Sequence, residues 1–147
     1  MIIGIIVSYQ PNIEDLVRNI NEVLEQVDYL ILIENGSSPH VQDQIVSKLN
    51  NKKMKVILQT QNLGLAKAQN IGIQKGIELG GNYFLFLDDD SSLSKGSVEK
   101  LKRELDENPK LGIAACHIIH ENSSKVQKYW IKTKWFYKRV RLTDIIP

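Results

Sequence analysis

The chain has 147 residues, 42% hydrophobic and 24% charged, with a formal net charge of +2. That is the size and composition of about one globular domain with a real core, and no run approaches the roughly 18 apolar residues that a membrane-spanning helix needs. The single cysteine, Cys116, excludes an internal disulfide and a cysteine-based zinc site, and its neighbours Ala114 and Ala115 predict a plain buried thiol.

The charge is unevenly placed. Residues 125–147 carry seven Lys and Arg and one acid, Asp144, out of totals of 19 and 17, which leaves 12 and 16 for residues 1–124. A mildly acidic body is thus followed by a strongly basic tail, and the expected division is an α/β domain over 1–120 and a basic-aromatic segment over 121–147.

Met1-Ile2-Ile3-Gly4-Ile5-Ile6-Val7 lacks the basic flank and cleavage site of a signal peptide and reads as a first strand, ending at Ser8-Tyr9. This fits a cytoplasmic protein. Gln10-Pro11-Asn12 is a break, and Asn12 can cap a helix with Glu14 and Asp15 in its first turn, where the dipole favours acids. Ile13, Leu16, Ile20, Val23, Leu24 and Val27 follow at helical spacing. Tyr29–Ile33 is a second buried strand, ending in the turn Glu34-Asn35-Gly36-Ser37-Ser38. A helix over about 39–50 follows from Val41, Ile45, Val46 and Leu49.

Met54–Gln59 is a third strand, short and more polar, which predicts a sheet edge. After the loop Gln61-Asn62-Leu63-Gly64 the pattern predicts a helix from about Leu65 to Leu79, closed by Gly80-Gly81. Ala66, Asn70, Ile73 and Ile77 lie on one stripe of it, and Asn70 is the polar member. The simplest role for a buried Asn70 is a structural hydrogen bond to the loop carrying Asn62; direct contact with a ligand is the alternative. Lys67 sits near enough to the helix start to reach an anionic ligand.

Tyr83-Phe84-Leu85-Phe86-Leu87 then runs straight into Asp88-Asp89-Asp90. Five apolar residues in a row predict a strand buried on both faces, in the middle of a parallel sheet. Three carboxylates crowded at its end repel one another unless a cation or a hydrogen-bonding ligand joins them. The plain alternative is a solvated acidic turn before a helix start. Ser94 to about Asp106 reads as that helix, with Val98, Leu101 and Leu105 inward and Asn108-Pro109 as its stop. Residues 111–119 read as a fifth strand.

Strand and helix alternate four times before the last strand. The pattern predicts a three-layer α/β/α fold with a mostly parallel central sheet, Rossmann-like in its nucleotide-binding half. Ligands bind beyond the carboxyl ends of such strands. The polar residues there are Ser8 and Tyr9, Glu34 and Asn35, Asn62, and Asp88 to Asp90. Asp88 and Asp90 suit Mg2+ or Mn2+, which take one or two carboxylates plus phosphate oxygens. The chain has neither G-x-x-x-x-G-K-[ST] nor G-x-G-x-x-G, so a nucleoside diphosphate would be held through the metal, not a glycine-rich loop.

Four blocks carry a resemblance. They are Ile6-Val7-Ser8-Tyr9 with Pro11, Ile33-Glu34-Asn35-Gly36-Ser37, Asn62 through Ile73, and Phe86-Leu87-Asp88-Asp89-Asp90-Ser91. Together they resemble the family 2 glycosyltransferases of the GT-A fold, and Ala68-Gln69-Asn70-Ile71-Gly72 with Asp90-Ser91 looks most like the bacterial rhamnosyltransferase branch. The resemblance implies inverting transfer of a sugar, L-rhamnose from dTDP-rhamnose or another sugar from a UDP-sugar, to a glycan or polyprenyl-linked acceptor in cell-surface polysaccharide synthesis. It implies that Ser8 and Tyr9 line the nucleobase pocket and that Glu34 replaces the family's usual Asp as acceptor from the base. Gln69 stands where Arg is frequent and would touch the base, and Asp88 would contact the ribose or support the metal. Asp90 would be the metal ligand, and Asp89 the variable middle residue, pointing away.

The family's catalytic base is a carboxylate in the second half of a longer domain. Beyond Asp90 the acids are Glu99, Glu104, Asp106, Glu107, Glu121 and Asp144, none in a matching motif. The expectation is that the base lies beyond Pro147, that this is the donor-binding half, and that it is weakly active or inactive alone. Lys125 to Arg141 interleaves its seven basic residues with Tyr129, Trp130, Trp135, Phe136 and Tyr137. That mixture suits peripheral contact with the inner face of the cell membrane; the plain alternative is packing against the second half, and nucleic acid is not expected. His117 and His120 are three apart on the expected strand, a poor metal pair, and His40 reads as a surface residue. Two other functions compete. A sugar nucleotidyltransferase needs a glycine-rich basic loop after the first strand, where this chain has Ser8 to Asn12. A non-catalytic nucleotide-sugar or partner-binding module would need only the donor site and the tail.

Overall fold

The structure, a computed structural model, describes residues 1–116 and the two strands Lys128–Lys132 and Tyr137–Arg141. The elements are β1 (Ile2–Ser8), α1 (Ile13–Leu24), β2 (Tyr29–Glu34), α2 (Pro39–Lys48), β3 (Met54–Leu58), α3 (Leu65–Glu78), β4 (Tyr83–Asp88), α4 (Ser97–Glu107), β5 (Lys128–Lys132) and β6 (Tyr137–Arg141). They form two compact units, Met1–Ala114 and Ala115–Pro147. In the second, β5 and β6 pair as an antiparallel ribbon. No described helix is long and apolar enough to cross a membrane.

The first unit is built on a four-stranded parallel sheet in the order β3-β2-β1-β4. The side-chain period of a strand is two, so alternate residues of β1 and β2 serve opposite faces. Ile6, Leu30 and Leu32 pack with Leu16, Ile20, Val23, Ile45 and Leu49 of the α1–α2 side. Ile3, Ile5, Ile31 and Ile33 pack with Ala68 of α3 on the other. Each such aliphatic side chain contributes roughly 1.5–3 kcal/mol when fully buried. The continuous apolar runs of β1 and β2 are therefore explained by cover on both faces.

Helix α1 starts as its sequence predicts, with the Asn12 side chain accepting from the Glu14 and Asp15 amides at 3.0 and 3.1 Å. Helix α3 meets the sheet differently. Its buried residues are Ala68, Gly72 and Gly76, a stripe of small residues at steps of four. A Cβ at Gly72 would stand 2.7 Å from Ile5 Cγ2, and one at Gly76 2.6 Å from Phe84 Cε1, so the backbone lies directly on β1 and β4 side chains. This rotates the expected stripe outward. Ala66, Asn70 and Ile77 are exposed, and only Ile73 keeps a share in the core. The bond expected from Asn70 to the Asn62 loop is not formed.

Four further expectations are corrected. Strand β4 is not in the middle of the sheet: among the described residues it is an edge, and Phe86 is 43% exposed. The apolar run over 111–119 is no strand through residue 116; the Leu111 amide turns back to the Asn108 carbonyl and Ile113 is 85% exposed. Residues 117–119 lie outside the described residues. An apolar run becomes a strand only where a ladder accepts its backbone groups. Cys116 is consequently exposed rather than buried. Helix α4 begins at Ser97 instead of Ser94, because the Ser97 amide closes a turn on the Ser94 carbonyl. Tyr83 and Lys102 both reach the Asp106 carboxylate, which ties α4 to β4.

Candidate functional site

The chain runs outward from β1 to β2 and β3, then returns to place β4 on the other side of β1. The crevice at such a reversal, beyond the carboxyl ends of the strands, is where open α/β sheets bind ligands. The register brings the expected residues there together: Ser8 stands opposite Glu34, and Val7 opposite Asp88.

One side of this edge is closed by polar contacts. Glu34 is 0% exposed. Its carboxylate accepts from the Gly36 and Ser37 amides and from the Gln42 side chain, which also donates to the Gln59 carbonyl. A buried carboxylate is stable only with such donors around it. Ser37 Oγ in turn accepts from the Gln10 amide at 2.8 Å. Gln10 has φ +53, a conformation that costs a non-glycine residue about 1 kcal/mol and has to be held from outside. The link runs from Glu34 through Ser37 to the turn that carries Tyr9.

Asn35 and Asn62 complete that side. Asn35 Nδ2 donates to Asn62 Oδ1 at 3.1 Å, while Asn35 Oδ1 accepts from the Leu63 amide and Asn62 Oδ1 from the Gly64 amide. Gly36 has φ +85, and a Cβ there would sit 2.2 Å from the Gln61 carbonyl carbon. The loops after β2 and β3 thus touch backbone to backbone, which only glycine permits.

The acidic side is open. Asp88 and Asp90 are exposed, whereas Asp89 is half-buried. Burial first, and then the neighbouring Asp90 and Asp88 charges, push the Asp89 carboxyl above the usual carboxylate range, against a hydrogen bond from the Tyr9 amide. Asp89 is thus the one of the three turned away from solvent. Asn19 of α1 donates to the Asp89 carbonyl at 3.1 Å.

The expected residues divide by access. Ser8, Glu34 and Asn35 are buried, and Ser8 Oγ has no hydrogen-bond partner. Tyr9, Asn62, Lys67, Asp88 and Asp90 are exposed and Gln69 is half-buried. The described residues hold no group of three or more His, Cys, Asp or Glu arranged for a metal. Two exposed carboxylates fit a cation that takes its remaining ligands from phosphate and water, and do not fit a closed protein cage. Glu99, Glu104, Asp106 and Glu107 are exposed along α4; Glu121, Asp144, His117 and His120 lie outside the described residues, and His40 is exposed.

Sequence reasoning passed over Gln42, Asn19 and Gln26, and gave Ser37 no role beyond its turn. Asn19 had a readable signal: it interrupts the apolar stripe of α1 between Leu16 and Val23 and is 1% exposed. A polar residue on that stripe needs a partner.

The comparisons with known proteins bear on the family and the fold. The family described as Glycosyl transferase family 2 matches residues 5–146. The dTDP-rhamnosyl transferase RfbF of Shigella flexneri is 33% identical over 111 residues, 75% of this chain and 36% of its own length. An uncharacterized glycosyltransferase of Haemophilus influenzae is 33% identical over 86 residues, 55% of this chain and 31% of its own. The chain thus spans about a third of the length of the curated relatives it matches. The crystal structure of S. aureus TarS 1-349 superposes with a TM-score of 0.55 over 73% of this chain and 33% of that one, at 21% identity. That match shows the GT-A fold.

Proposed function

The chain belongs to glycosyl transferase family 2, and from that premise we propose that it forms the donor-binding part of a rhamnosyltransferase-like enzyme. Such an enzyme transfers a sugar from a nucleoside diphosphate to a hydroxyl of a glycan acceptor. The observation that carries the reading is the pair of exposed carboxylates, Asp88 and Asp90, at the reversal of strand order beside the end of β1. The identity to a dTDP-rhamnosyl transferase supports dTDP-L-rhamnose as donor.

Asp90, with Asp88, would hold Mg2+ or Mn2+, and the cation would supply charge stabilisation for the departing diphosphate. The chain's own residues do the positioning. Tyr9 and Gln69 are accessible to the base, and Lys67 near the start of α3 is accessible to the diphosphate. Glu34 acts one step back, since its carboxylate is occupied by the loop it organises. We place the acceptor on a polysaccharide or lipid-linked precursor, and the catalytic base and the membrane contact of residues 125–141 remain part of the same proposal.

Calorimetric titration of dTDP, UDP and GDP with and without Mn2+ tests the reading. The expected result is tighter binding of dTDP with Mn2+, lost in Asp90→Ala. Equal affinity without the metal would remove the metal site, and no binding of any of the three would remove the donor site.

A further inference from the structure

The acidic loop between β4 and α4 is tethered from an unexpected direction. Asn19 Nδ2 donates to the Asp89 carbonyl at 3.1 Å, and Gln26 Nε2 donates to the Leu93 carbonyl at 3.3 Å. The two amides lie seven residues apart, Asn19 on α1 and Gln26 in the turn that closes it. They grip the loop at its start and near its middle, 70 and 67 residues away in the chain. Carbonyl oxygens only accept, so in each case the NH2 group faces the loop.

Both amides leave the other atom empty: Asn19 Oδ1 and Gln26 Oε1 are buried without partners. An amide whose oxygen is orphaned adds little to stability on balance, because the unmade bond offsets the made one. Stability alone does not explain an amide on the apolar stripe of α1. Placement of the loop does. Three adjacent carboxylates repel one another, and the loop's own closure is limited to the Ser91 amide on the Asp88 carbonyl and the Ser97 amide on the Ser94 carbonyl.

We propose that Asn19 and Gln26 are positioning residues that clamp the segment Asp89–Leu93, so that Asp88 and Asp90 stand ready toward solvent while Asp89 is turned in. The clamp acts through the loop backbone and touches no ligand. Its consequence for metal rests on the donor-site reading above; its consequence for the loop does not.

The test uses the full chain with Asn19→Leu, Gln26→Met and Gln26→Glu. Hydrogen exchange reads the loop, and Mn2+ titration followed by electron paramagnetic resonance reads the site. The clamp predicts about tenfold faster exchange of the amides of residues 89–93, with β1 and β2 amides unchanged. It also predicts about tenfold weaker Mn2+ binding at an unchanged melting midpoint. Gln26→Glu is the sharper variant. Its added negative charge would tighten Mn2+ by attraction alone, whereas loss of the donor weakens it. Because Gln26 is half-buried and beyond the helix, its variants keep the test open if Asn19→Leu does not fold. Loop exchange within twofold of the parent overturns the clamp, and so does faster loop exchange with unchanged Mn2+ affinity. A parent chain that binds no Mn2+ refutes the donor site instead, and the exchange measurement still decides the clamp.

Discussion

The two sides of the site are built on opposite plans. The β2 side is closed: Glu34, Asn35 and Ser37 are buried, and their polar atoms are spent on one another and on nearby backbone. The β4 side is open: Asp88 and Asp90 face solvent, and the loop that carries them is held by two side-chain amides from α1 and its closing turn. A closed network fixes geometry without needing a ligand, because its buried carboxylate and side-chain amides already have partners. An open acidic loop keeps its repulsion until something cationic arrives. The first side supplies shape and the second supplies the demand for a partner.

Glu34→Ala should separate the two plans most strongly. It orphans the Gly36 and Ser37 amides together and leaves the Gln42 side chain only its bond to the Gln59 carbonyl, and should lower stability by about 3 kcal/mol in urea unfolding. Gly36→Ala should cost about 2 kcal/mol by the same measure, since the new methyl meets the Gln61 backbone and the positive φ becomes strained. If either variant keeps parent stability, the β2 side is not the rigid half.

The smallest effect belongs to the open side and has the opposite sign. The Asp89 carboxyl is raised in the folded chain, so between its ordinary value and that raised value the folded state binds more protons than the unfolded one. Stability therefore falls as pH rises through that window and stays lower above it. Asp89→Asn should thus stabilise at pH 7 by under about 1 kcal/mol, with the gain disappearing in acid below the ordinary carboxylate range. Thermal melts at pH 3 and pH 7 check it; a variant destabilised equally at both would mean that the Tyr9 contact outweighs the burial.

Much of this was legible in order but not in direction. The apolar runs of β1 and β2 and the Asn12 cap announced their elements. The placement of Ser8, Glu34 and Asp88 at one edge followed from alternating strands and helices. The face of α3 was misread because Gly72 and Gly76 carry no hydrophobic signal, yet their lack of side chains lets the helix lie on Ile5 and Phe84. The composition of β4 is that of a covered strand and predicts a central place, but composition does not say what lies beside it.

The sequence by itself determined the periodicities, the caps, the parallel α/β order and the presence of four polar strand ends, because each depends on neighbours within a few residues. Only the tertiary structure decided that Glu34 is enclosed, that Asp89 rather than Asp88 or Asp90 turns inward, and that Asn19 and Gln26 hold the acidic loop. For the acidic loop those outcomes depend on hydrogen-bond partners far apart in the chain, and for Glu34 and Asp89 on what the packed sheet edge covers.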